Sequence, residues 1–151
     1  MKPTTKNTEQ LAALITAKQQ VLEILVRLSR RQTVLISAGE LTSLLKLLAG
    51  KQTVINQLQK IDEELAPFRG DDPEQRIWSS TAARAACQAR AERCNALLAE
   101  AMALQQQAET AMRDRRDAAA ATLAAVQTAS DARAAYAALP SPALTSLHVE
   151  G

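Results

Sequence analysis

Three places in this chain carry residue types that could do chemistry. The first is Ala49-Gly50-Lys51-Gln52-Thr53, a glycine followed by a lysine. A phosphate-binding loop needs a second glycine five residues upstream and a hydroxyl after the lysine, so that backbone N–H groups cradle the phosphates and the hydroxyl holds a metal ion. Here those places hold Leu45 and Gln52, and no strand-like run precedes them. Nucleotide binding is not expected. The second place is the thiol pair Cys87 and Cys94, seven residues apart. On one helix they stand about 10.5 Å apart in rise, too far for a disulfide. The chain's one histidine is His148, close to the last residue of the sequence, so neither a metal site nor an activated thiol finds its partner. The third is the adjacent acids Glu63-Glu64 and Asp71-Asp72, for which capping or hydration at a turn is explanation enough. No acid–base pair converges in a pocket. The sequence predicts no enzyme, no cofactor and no metal.

The elements that position these residues are helical. Between Pro73 and Pro140 there is neither glycine nor proline, and the residues are those that lose least on entering a helix. An uninterrupted helix there is roughly 100 Å long at about 1.5 Å per residue, and it needs something equally long to lie against. The segment from about Thr8 to Leu65 has that length. Its apolar residues Leu11, Leu14, Val21, Leu25, Leu28 and Leu35 form one stripe, interrupted by the polar Lys18 and Gln32. At Ser37-Ala38-Gly39-Glu40 the phase shifts, and a second stripe runs through Leu41, Leu44, Leu48, Ile55, Leu58 and Leu65. Ser37 and Glu40 have capping-box spacing and Gly39 weakens the helix, which predicts a kink or short break with the two pieces nearly end to end. Pro67 and Gly70 mark a turn, and Asp72-Pro73-Glu74 supplies a cap, a proline at the first helical position and an acid in the first turn.

The expected fold is therefore all-α: an elongated antiparallel helical hairpin. Arm one covers 8–65 and is kinked or broken near Gly39; the turn is 66–72; arm two, 73–139, is one long helix. Residues 1–7 are expected to fray, with Asn7 and Gln10 as a capping arrangement, and 140–151 to be a disordered tail. Ile77 and Trp78 are expected to cover the closed end, and Cys87, Ala91, Cys94, Leu98, Ala101, Gln105, Ala108 and Met112 to form a seam of small residues.

With 18 basic and 16 acidic residues in 151, the net charge of +2 is too balanced to predict nucleic acid or an anionic membrane as partner. The clusters Arg27/Arg30/Arg31 and Arg113/Arg115/Arg116 read as solvated faces, the second interleaved by Asp114 and Asp117. No apolar run is long enough to span a membrane, Met1 to Glu9 lacks the apolar stretch of a signal peptide, and the cysteines are unbridged. A cytoplasmic location is expected.

Bulk is unevenly shared. Of 31 alanines, 25 follow residue 70, whereas the first half carries the leucines and isoleucines. Burying a leucine contributes about 1.5–3 kcal/mol and an alanine methyl roughly a third of that. The second arm thus keeps its helical propensity while its neighbour holds it weakly, and it is free to exchange self-contacts for a partner's helix.

Gln32-Thr33-Val34-Leu35-Ile36-Ser37-Ala38-Gly39-Glu40-Leu41, followed by Leu44, Leu47, Lys51, Ile55 and Leu58, resembles the FlgN family of flagellar export chaperones. The resemblance implies a cytoplasmic chaperone that binds the C-terminal helix of hook–filament junction proteins before type III export. It implies a substrate-binding region in the last helix, here the apolar residues Leu98, Ala101, Met102, Ala108, Met112, Leu123 and Val126. A homodimer stays open. The alternative is a structural coiled-coil component of the export ATPase apparatus, which this hairpin resembles in outline.

Overall fold

The computed structural model describes residues 4–139. Among them no strand forms. The order is α1 (Thr5–Ala38), α2 (Leu41–Arg69), a short 3-10 turn (Pro73–Gln75) and α3 (Thr81–Ala138). The chain divides into two units, Met1–Met112 and Arg113–Gly151, and α3 contributes to both.

Thr4 caps α1, its hydroxyl accepting from the Asn7 N–H at 3.3 Å, so the cap lies three residues before the expected Asn7. The other end of α1 decides the fold. Gly39 has φ 71°, the left-handed region that a Cβ disfavours. Its N–H donates to the Ile36 carbonyl and the Glu40 N–H to the Leu35 carbonyl, both at 3.1 Å. This Schellman closure satisfies two terminal carbonyls and swings the chain round. After two linking residues α2 sets off beside α1, not beyond it.

The contacts give the direction. Lys18 Nζ meets Asp62 Oδ1 at 2.8 Å, and Gln32 Oε1 accepts from Lys51 Nζ at 2.7 Å. Rising numbers in α1 pair with falling numbers in α2, so the two helices are antiparallel neighbours. The end-to-end first arm expected from the phase shift is corrected here: the arm is folded double at Gly39. The reason is energetic. Laid end to end, two leucine stripes would share one alanine-lined partner; folded back, they bury each other.

α2 also outlasts its expected end. Pro67 sits inside its last turn, where the proline removes only one hydrogen bond, and the helix continues to Arg69. The Phe68 carbonyl left over at that terminus accepts from Arg76 Nη2 at 2.6 Å and from the Asp71 N–H at 3.3 Å. Asp72 does cap, taking the Glu74 N–H at 3.0 Å, but what it starts is the single 3-10 turn. The long helix begins only at Thr81, with the Ser80 hydroxyl accepting the Ala83 N–H at 3.0 Å.

Over residues up to Met112, α3 runs parallel to α1. Thr8 Oγ1 donates to the Ile77 carbonyl at 2.6 Å, Cys94 Sγ lies 3.7 Å from the Ile15 carbonyl, and Arg30 pairs with Glu100. The Ile77 side chain, expected to cover this end, is 49% exposed, and it is the Ile77 carbonyl that meets α1. The first unit is thus a three-helix up-down-up bundle. One core layer joins Leu22, Leu25 and Val26 of α1, Val54 of α2, and Cys94, Leu97 and Ala101 of α3. A second, nearer Gly39, joins Leu35, Ile36, Leu44 and Ala108. Cys87, Cys94, Ala101 and Ala108 recur every seven residues, the seam of a helix packed coiled-coil fashion.

In the second unit the helix runs on to Ala138, and every described residue from Arg113 onward is exposed. Alanine sustains the helix there by propensity alone. Residues 140–151, expected as a disordered tail, lie outside the described residues.

Candidate partner-binding surface

The seven residues proposed from the sequence separate into two groups. Ala101 and Ala108 belong to the bundle core, their methyls covered by α1 and α2. They leave the candidate set, because a seam of small residues is where this helix meets its own bundle. The other five are open. Leu98, Met102 and Met112 lie exposed on the bundle's part of α3, and Leu123 and Val126 are 69% and 60% exposed in the second unit. Leu98 was expected in the buried seam, but its neighbour Leu97 takes that place.

Leu98, Gln105 and Met112 are spaced by sevens and share one face of α3. Gln105 Oε1 accepts from Lys51 Nζ at 2.6 Å, so that face borders α2. On α2, the leucines 41, 44, 45, 47 and 48 span about 160° of the helix circumference at about 100° per residue, more than one core contact can cover. Leu44 is buried; Leu41 and Leu45 remain 66% and 67% exposed. The apolar periodicity puts Leu41 in the core stripe and leaves Leu45 outside it; in the structure both are open. The signal was present in the crowding itself, since five leucines in eight residues exceed what one stripe needs.

Beneath this surface lies a polar contact with one group from each helix. Lys51 is only 7% exposed, and its ammonium donates to the Gln32 and Gln105 amide oxygens. Burial lowers its pKa from the usual 10.5. A lysine of lowered pKa is a nucleophile candidate, but this one is 7% exposed and its ammonium is engaged by two amide oxygens. It serves to align the three helices. The interruption that Gln32 made in the α1 stripe, the lone basic residue among the α2 leucines and the glutamine in the α3 seam are parts of this one contact.

Cys87 and Cys94 are buried, and burial raises both thiols above their usual 9.0. Among the described residues no group of three or more His, Cys, Asp or Glu is placed to hold a metal ion, and no helix is long and apolar enough to cross a membrane. Arg113 and Arg116 are exposed, Arg116 beside Asp117 at 3.4 Å. Comparison with protein-family models, curated proteins and solved structures finds no match to this chain.

Proposed function

We infer that this chain is a helix-binding protein, and we propose that it acts as a cytoplasmic export chaperone for flagellar hook–filament junction proteins. The client is their amphipathic C-terminal helix. The observation that carries the reading is the second unit: a helix from Arg113 to Ala138 that buries nothing, yet presents Leu123 and Val126 to solvent. An exposed helix of good propensity needs no partner to stay helical, so its apolar side chains are free to be covered by another helix. On the bundle, Leu98, Met102 and Met112 offer a further apolar strip. The resemblance of the Gln32–Leu58 region to FlgN chaperones supports the choice of client. Binding that buries Leu123 and Val126 gains roughly 1.5–3 kcal/mol from each.

Calorimetry with a peptide of a junction protein's C-terminal helix tests this. Heat of binding together with a gain of helix by circular dichroism is expected, and Leu123→Ala or Val126→Ala weakens binding by about tenfold each. Absence of heat with every junction-protein terminus removes the proposal.

A further inference from the structure

Toward the end of the bundle remote from Gly39, a cleft of about 210 Å³ lies between α1, the last turns of α2 and the third and fourth turns of α3. Leu11, Ile15 and Leu65 make its floor, and Lys18, Arg69 and Arg76 stand around it. Asp62 engages Lys18 at 2.8 Å and Arg69 at 3.7 Å. Arg76 pairs with no carboxylate among the described residues. One of its terminal nitrogens is fixed by the Phe68 carbonyl, and its Nε is buried and makes no hydrogen bond. The buried Nε is out of a ligand's reach, but a guanidinium held at one terminal nitrogen and paired with no carboxylate has its other terminal nitrogen left to donate. Lys18, Arg69 and Arg76 line the cleft and no carboxylate does, while Glu64, Asp71 and Asp72 line a separate cavity on another side of Arg76; cations over apolar side chains select an anion that has an apolar body.

We propose that this cleft binds a small aliphatic carboxylate, its headgroup on Arg76 and its tail on Leu11, Ile15 and Leu65. A cleft of about 210 Å³ has room for a short unbranched chain. This site is separate from the exposed residues of α3 and independent of client binding.

The test is an NMR titration of the full chain at neutral pH with the series acetate to pentanoate, and with sulfate and pentanol as controls. Affinity is expected to rise about fourfold per added methylene, with shifts centred on Arg76, Leu11 and Leu65. Pentanoate should bind at least about tenfold better than either control, and Arg76→Gln should remove that margin. Should Arg76→Gln fail to fold, Leu11→Ala carries the same test, flattening the chain-length dependence. Equal response to sulfate and pentanoate, equal response to pentanol and pentanoate, or no shift at tens of millimolar pentanoate each overturns the proposal.

Discussion

Lys51 shows what one side chain does in a thin bundle. A buried ammonium with two amide acceptors and no carboxylate is aligned but not strongly stabilised, because desolvation opposes it. Lys51→Met, apolar and of similar length, is expected to leave stability unchanged or to raise it by up to about 2 kcal/mol. Lys51→Ala also leaves a hole and is expected to lower stability by about 2 kcal/mol or more, read by urea denaturation. The pH dependence separates the residues. With its pKa lowered from 10.5, the lysine makes the folded chain bind fewer protons than the unfolded one below that value, so its contribution to stability rises with pH. The cysteines act oppositely. Raised above 9.0, they keep protons in the folded chain that the unfolded chain releases, and stability falls as pH climbs past 9.0. The advantage of Lys51→Met over the natural chain should therefore shrink toward pH 10.5; parallel curves for the two would show that the lysine is not desolvated. Adjacent leucines give a second residue-scale contrast. Leu97→Ala removes a buried side chain and is expected to cost about 2–5 kcal/mol of stability, whereas Leu98→Ala, 37% exposed, should cost about 1 kcal/mol or less.

At the scale of elements, two glycines do opposite things. Gly39→Ala forces a Cβ into the left-handed region that closes α1, and an expected loss of about 1–2 kcal/mol follows. Gly50 lies inside α2, where an added Cβ meets nothing within 4 Å, so Gly50→Ala should stabilise by about 0.5–1 kcal/mol. Equal effects at the two sites, measured by thermal denaturation, would contradict the reversal at Gly39. The helices themselves were legible in the sequence, because propensity and the apolar stripes agree along α1, α2 and the bundled part of α3, and propensity alone carries the rest. The pairing was not. A phase shift at a glycine fits a kink or a reversal alike, and only the left-handed φ of Gly39 with its two closing hydrogen bonds decides. The start of α3 was misplaced for a related reason: Asp72-Pro73-Glu74 has every local start signal, but Arg76, fixed to the Phe68 carbonyl, carries the chain on extended until Ser80. Of the candidate surface, the openness of Leu123 and Val126 was legible in the thinning of the stripe after Ala118, whereas Met112, expected in the packed seam, is 44% exposed. The place of Ala101 and Ala108 was not legible, since a methyl at heptad spacing serves equally against the chain's own helices or a partner's.

For the whole molecule, the division at Met112 has a direct consequence. Because every described residue beyond it is exposed, a chain ending at Met112 should keep its unfolding free energy within about 1 kcal/mol. The same truncation should abolish capture of the client helix. α3 is one helix secured by packing only over its first half, and its remaining residues stand open. Amide hydrogen exchange measures this directly, because protection reports how firmly each stretch is held. Exchange is expected to be slow from Cys94 to Ala108 and fast from Ala118 to Ala138, with that second stretch slowing when the client helix is added. Uniformly slow exchange along all of α3 in the free protein would contradict packing confined to the first half.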